Sequence, residues 1–165
     1  MRQKGQASVE FIILFVILLA YIYTISEPSV QVAQDSINDI SRVSQSRLAA
    51  EKLAAAINEL LVSDGLGKKT IHVVVPENSK ITCDYGNPAD PTPEIFFTTD
   101  LSANLAGITV PGKCVSPATG TKYCTGGIPV ISGNFVCSAP GYYTGKAYWI
   151  FRVYKNPMDG KVHVE

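Results

Sequence analysis

The chain has 165 residues, enough for one domain of ordinary size, and fourteen Lys and Arg residues balance fourteen Asp and Glu residues. Because the net charge is zero, no single-sign field attracts a nucleic acid, and we expect no nucleic-acid partner. The sequence has no nucleophile–base motif and no phosphate-binding loop, so we expect neither an enzyme nor a cofactor.

The N-terminal segment starts basic and becomes apolar. Arg2 and Lys4 are followed by no other Lys or Arg before Arg42, and residues 11–25 are apolar except for two tyrosines and a threonine. Counted from Ala7, this segment reaches the roughly 20 residues that a membrane-spanning helix needs. By the positive-inside rule the start stays in the cytoplasm, so we expect the rest of the chain outside.

Two ordinary interpretations of this segment compete. A secretory signal peptide should end in a small-x-small cleavage site, but here the apolar core ends in Tyr-Ile-Tyr-Thr-Ile-Ser, with Pro28 close behind. A plain signal anchor explains the apolar residues but not Glu10. A charged side chain at the centre of a membrane helix costs on the order of 2.5–3.5 kcal/mol on insertion scales. Glu10 at headgroup level would stay hydrated, yet a signal anchor does not require it.

After Pro28 the pattern predicts an amphipathic helix, because apolar residues recur at steps of three and four. This stripe comprises Ile37, Ile40, Val43, Ala50, Leu53, Ala54, Ile57, Leu60 and Leu61. The opposite, polar face carries Asp35, Asn38, Asp39, Arg42, Glu51, Lys52 and Glu59. The stripe weakens at residues 44–47, where we expect contact with a core to thin, and Asp64-Gly65 with Gly67 ends the helix. Pro28 either kinks the join or starts the second helix; a continuous helix over residues 7–63 would be about 85 Å long.

The remaining residues are typical of short strands separated by Gly- and Pro-rich turns. We predict strands at residues 70–75, 81–85, 94–99, 108–110, 128–131, 134–137, 146–155 and 161–165. The expected fold class is α+β, with a long N-terminal helix packed on a C-terminal antiparallel β-sheet or sandwich. In this arrangement the apolar stripe of the helix covers one face of the sheet. We expect residues 68–165 to form the extracellular head.

Four cysteines, all in the β-rich half, predict two disulfides in an oxidising compartment. A metal site is the rival interpretation, but there is no C-x-x-C pair and the spacing fits no zinc pattern. Four cysteines allow three pairings, and the sequence does not decide among them. We expect Cys114 to pair with Cys124, across a loop rich in Gly, Pro and Thr, and Cys83 to pair with Cys137.

The segment before the apolar run carries the most informative pattern. Gly5 is followed by Gln6, Ser8 and Glu10, with one free position between each pair. This resembles the class III signal peptide of archaeal type IV pilin precursors, in which a basic leader ending in Gly precedes a Gln-x-Ser-x-Glu pattern and an apolar helix. The resemblance extends only to residue 25.

The resemblance implies a processing and assembly route. A prepilin peptidase would cut between Gly5 and Gln6, removing the leader of residues 1–5. The helix of residues 6–28 would stay on the protein as its membrane segment and then as the filament core, with Phe11 and Phe15 in helix packing. The amphipathic residues 29–64 would pack on the head. An assembly ATPase and a platform membrane protein would lift subunits into a helical homopolymer of identical or related pilin subunits.

The resemblance also implies a role for Glu10, which would pair with the new amine of Gln6 on a neighbouring subunit. Inside an apolar filament core both charges would be costly alone, and pairing them would set the register between subunits.

Two functions follow as hypotheses. The first is a structural subunit of an archaeal type IV-like pilus for surface attachment, located in the cell membrane as a precursor and in an extracellular filament after assembly. The alternative is a membrane-anchored extracellular binding protein that does not polymerise. An archaellin-type motility subunit is disfavoured, because archaellins usually carry a different junction.

Overall fold

The structure is a computed structural model that describes residues 3–85, 92–102, 113–115, 122–137, 142–144 and 147–165. These ranges contain one helix, α1 (Gln3–Val62), followed by a head of β-strands. The strands are β1 (Lys68–Val75), β2 (Ser79–Asp84), β3 (Glu94–Leu101), β4 (Lys113–Val115), β5 (Lys122–Pro129), β6 (Phe135–Cys137), β7 (Tyr142–Thr144), β8 (Ala147–Lys155) and β9 (Val162–Val164). The strand predicted at residues 108–110 lies outside the described residues.

The helix is continuous over 60 residues and is about 90 Å long at 1.5 Å per residue. Pro28 lies inside it, so this proline does not start a second helix. It ends where the sequence predicts, just before Asp64-Gly65. Two carbonyls at this end have side-chain partners, because the Ser63 hydroxyl donates to Leu60 O and the Lys155 ammonium donates to Ser63 O at 2.8 Å.

The described strands form two sheets, in the orders β1-β8-β9-β6 and β4-β5-β3-β2-β7. The pairs are antiparallel except for β6 with β9, which is parallel. The predicted antiparallel head is therefore confirmed, with one parallel pair in addition. β6 and β9 are not joined by a hairpin, because β7, in the other sheet, and β8 lie between them in the chain, so their pair is free to be parallel.

One core joins the helix to the inner faces of both sheets. The strands alternate, so that in β3 the side chains of Ile95, Phe97 and Thr99 are buried while those between them are half-buried. Buried phenylalanines from both sheets meet Leu53 and Ile57 of the helix in a single cluster. This is the predicted α+β arrangement of a long helix packed on a β-head.

Strand prediction succeeded for the β-branched and aromatic segments and failed for three others. β4, β7 and residues 122–127 of β5 were missed. In β5 the cause is its Gly126-Gly127 pair, which resembles a turn. The structure explains this pair in part: a Cβ on Gly127 would collide with the Glu94 carboxylate and lie 3.2 Å from the Phe96 ring.

Candidate assembly surface on the helix

In the first half of α1, the described side chains from Val9 to Ile25 are all exposed. Every large apolar side chain between Val9 and Ile25 is at least half exposed. Part of the helix is apolar and long enough to cross a membrane, and none of that part is buried within the chain. An exposed apolar surface of this extent is not stable in water, so lipid or other protein must cover it.

The residues of the proposed processing motif lie at the start of this helix. Gly5, Gln6 and Ser8 have helical backbone, and the structure describes nothing of their side chains. Glu10 is exposed and is followed directly by the apolar surface. Phe11 and Phe15 lie one turn apart on the same face and are 70% and 52% exposed.

A short exposed segment, residues 27–38, separates the apolar half from the part of the helix under the head; we call it the stalk. It is about 18 Å long and contains Glu27 and Asp35 but no basic residue. Val30, Val32 and Ile37 are each more than 60% exposed. The assignment of Ile37 to the core-facing stripe was therefore wrong.

The first buried side chain described along the helix is that of Asp39, which the sequence pattern places on the polar face and which is in fact fully buried. Its carboxylate accepts hydrogen bonds from the backbone N–H of Ser102 at 2.9 Å and from the Ser102 hydroxyl at 2.8 Å. The Arg42 guanidinium lies 3.6 Å away. These contacts hold Ser102, directly after the end of β3, against one position on the helix.

Contact with the core does not thin at residues 44–47, because Ser46 is fully buried. The Thr99 hydroxyl donates to Ser46 Oγ at 2.9 Å, and the Ser79 hydroxyl donates to Thr99 Oγ1 at 3.2 Å. Ser46 Oγ in turn donates to the carbonyl of Arg42. This chain of buried hydroxyls links the helix to β3 and β2. The burial of Ser46 is indicated in the sequence by its spacing. It lies three residues after Val43 and four before Ala50, and therefore on the core-facing side of the helix.

Both disulfides are present, with the pairing expected from the sequence. Cys83–Cys137 connects β2 to β6 and so joins the two sheets. Cys114–Cys124 connects the neighbouring strands β4 and β5. The head is therefore cross-linked both between the sheets and within one of them.

An open groove of about 430 Å³ runs between α1 and β1, which is at one end of its sheet in the order of the described strands. Side chains from the helix, from β1 and from β8 line it. Its walls include Gln45, Leu48, Lys52, His72, Val74 and Tyr148. Its exposed apolar members include Tyr148 at 82% and Leu48 at 51%, whereas Ala49 and Val73, which also line it, are buried.

No family model matches the sequence, and no curated protein and no solved structure is significantly similar to it.

Proposed function

We propose that this chain is the precursor of a structural subunit of an archaeal type IV-like pilus, a filament for surface attachment. The observation that carries the proposal is the division of one continuous helix. Directly after Gly5 and the Gln6–Ser8–Glu10 pattern, the large apolar side chains from Phe11 to Ile25 are all exposed, whereas one face of residues 39–60 is buried under a disulfide-bonded head. A filament subunit needs both halves, one for polymerisation and one to hold the head.

The apolar half has two environments in this proposal. Before assembly it lies in the membrane, where a helix satisfies all backbone polar groups internally. After assembly it lies against the helices of other subunits, which replace lipid around residues 9–25. The role is structural and not catalytic. The partners are other pilin subunits, a prepilin peptidase, an assembly ATPase and a platform membrane protein.

Glu10 has a specific task in this proposal. Cleavage after Gly5 removes Arg2 and Lys4 and creates a cationic amine on Gln6. Moving a charged group into an apolar core costs free energy, and this cost is smaller for a paired carboxylate and amine than for either group alone. Their pairing also fixes the axial register between subunits.

Processing is tested by mass spectrometry of the N-terminus of the chain recovered from surface filaments. The expected N-terminus is Gln6, with all four cysteines oxidised. Gly5→Val should block trimming, because the branched side chain at the cleavage point hinders the peptidase. Ala7→Val, at a free position of the pattern, is the matched control and should be trimmed normally. Normal trimming of Gly5→Val would remove the peptidase from the proposal.

Polymerisation is tested with Glu10→Ala and Glu10→Gln. Both should leave membrane insertion intact and reduce filament yield strongly, and the glutamine should not rescue because the charge is what pairs with the amine. Filaments are sheared from cells and quantified against the membrane-bound chain. Wild-type yield from both variants would count against the register role. A processed, exported chain that never enters filaments would favour the anchored binding protein instead.

A further inference from the structure

The groove beside β1 has a composition that restricts its occupant. Leu48, Val74 and Tyr148 give it exposed apolar walls. Lys52 and His72 give it a basic character, and the lining residues in the described part of the chain include no acidic side chain. The best occupant is therefore an apolar segment that also carries a carboxylate. The volume admits a few side chains but not a whole helix, which is about 10–12 Å in diameter.

The stalk of the same chain has the complementary composition. Among residues 27–38 the charged side chains are Glu27 and Asp35, both acidic. Val32 and Asp35 are three residues apart, so they lie on the same face of the helix. Val32 is 62% exposed and Asp35 is exposed, so both are available to a partner. This face therefore presents one branched apolar side chain and one carboxylate together.

We infer that the groove of one subunit receives side chains from the stalk of a second copy, with Val32 against Leu48 and Tyr148 and with Asp35 beside Lys52. The inference rests on the proposed function and adds to it the surface through which heads are joined to helices. The stalk cannot occupy the groove of its own chain, because Asp35 and Lys52 are about 26 Å apart along one continuous helix.

The contact joins two different patches, so it is heterologous. Each subunit offers a groove to one neighbour and a stalk to another, and the two patches are displaced along the helix axis. A heterologous contact that does not close on itself produces an open filament instead of a ring. A groove–stalk contact is therefore sufficient to specify polymerisation in one direction, in addition to the packing of the apolar halves.

Cysteine cross-linking in assembled filaments tests the contact directly, because all four native cysteines are in disulfides. We combine Val32→Cys with Leu48→Cys in the full-length chain. The two sites are about 24 Å apart on one helix, so a disulfide between them must join two subunits. Because every subunit contributes both sites, mild oxidation should give a ladder of covalent multimers on a non-reducing gel.

The matched control replaces Val32→Cys with Ile37→Cys and keeps Leu48→Cys. Ile37 is exposed to a similar extent, at 66%, but lies five residues from Val32 and faces another side of the stalk. It should give no ladder. A ladder with Val32→Cys and none with Ile37→Cys supports the contact.

A charge exchange provides an independent measurement. Lys52→Glu places a carboxylate beside Asp35 of the neighbour and should lower filament yield several-fold. Adding Asp35→Lys should restore most of the yield, because the pair is re-formed with reversed sign. Lys161→Glu, at an exposed position outside the groove, should leave the yield unchanged.

The outcomes separate failure of this contact from failure of the proposed function. Normal filaments without a ladder, or with no rescue by Asp35→Lys, overturn the contact and leave the filament role intact. Covalent dimers of a chain that carries Leu48→Cys alone mean that groove faces groove, which also overturns it. If the unaltered chain forms no filaments, the proposed function fails and this inference fails with it.

Discussion

The two halves of α1 differ in what surrounds them, although both are helical and rich in aliphatic side chains. In the first half the apolar side chains from Val9 to Ile25 are exposed, whereas in the second Val43, Leu53 and Ile57 are completely buried. The second half is stabilised by one cluster with both sheets, by buried hydroxyls and by Asp39. The first half has no partner within the described chain. The periodicity of apolar residues therefore does not show whether a helix packs against its own chain or is covered by lipid or another protein.

Substitutions near the second half of the helix should therefore alter the stability of the head, while substitutions in the first half should alter insertion and assembly. Head stability is measured by chemical unfolding of the full-length chain in detergent. The single tryptophan, Trp149, stacks on Phe151 with ring centroids 6.2 Å apart and reports on the core. Far-UV circular dichroism reports on the helix.

The largest effect is expected from removing the bridge between the sheets. Cys83→Ser with Cys137→Ser opens a loop of 54 residues and should cost about 4 kcal/mol of unfolding free energy in the chain-entropy model. Cys114→Ser with Cys124→Ser opens a loop of 10 residues and should cost about 2.7 kcal/mol. Far-UV circular dichroism should still show helix in the apolar half. Equal losses in the two variants would contradict the loop-length argument.

A matched pair of leucines distinguishes the two halves most directly. Leu53 is completely buried, so Leu53→Ala should cost about 2–5 kcal/mol through lost burial and a cavity. Leu18 is 54% exposed in the apolar half, and Leu18→Ala should leave the unfolding free energy of the head unchanged. A loss of head stability in Leu18→Ala would show that the stability of the head depends on the apolar half, contrary to this expectation.

Substitution of two aspartates four residues apart locates the boundary between the stalk and the part of the helix under the head. Asp39→Asn keeps the shape but removes a carboxylate that accepts two hydrogen bonds from Ser102, and should cost about 1–3 kcal/mol. Asp35→Asn, on the exposed stalk, should change head stability by less than about 0.5 kcal/mol. If both variants were equally stable, contact with the head would begin later than Asp39.

The smallest effect concerns pH at the tip between β8 and β9. The backbone N–H of Lys161 and the His163 ring form hydrogen bonds with Asp159, which hold the pKa of that carboxyl below its ordinary value. A group with a lowered pKa stabilises the fold above its unfolded-state pKa, about 3.9 for Asp, and this contribution is lost as the pH falls through the lower folded-state value.

Asp159→Asn should therefore make head stability less dependent on pH below about 4, and should slightly lower stability at neutral pH. Met158→Ala removes an adjacent side chain that is 95% exposed, keeps the carboxylate, and should retain the pH dependence of the unaltered chain. Unfolding curves recorded between neutral and acidic pH make the comparison. Identical pH dependence in Asp159→Asn and the unaltered chain would exclude a contribution from this turn.

Much of the secondary structure was predictable from local pattern. The helix end before Asp64, the long strand β8 and the final strand β9 follow from periodicity, β-branched and aromatic content and turn residues. The strands that the sequence pattern did not predict have a common property. β4 and β7 have three residues each, and β5 contains two adjacent glycines, so their pairing depends on neighbouring strands and not on their own composition.

The features of the candidate surface also differ in whether the sequence predicts them. The exposed apolar half and the Gly5–Glu10 pattern are readable along the chain, whereas the burial of Asp39 and Ser46 is not. Both are polar residues on the core-facing side of the helix, and a polar side chain is buried only where partners satisfy it. Those partners, Ser102 and Thr99, are more than 50 residues away in sequence.

By itself the sequence determined that a long helix precedes a β-rich head, that the start of the helix is apolar throughout, and that four cysteines lie in the head. These are properties of periodicity, hydropathy and count, which are local. Only the tertiary structure decided where the head begins on the helix, how the strands divide between two sheets, and that a groove forms between α1 and β1. Each of these depends on contacts between segments that are distant in the chain, and a local sequence pattern does not predict the free energy of such contacts.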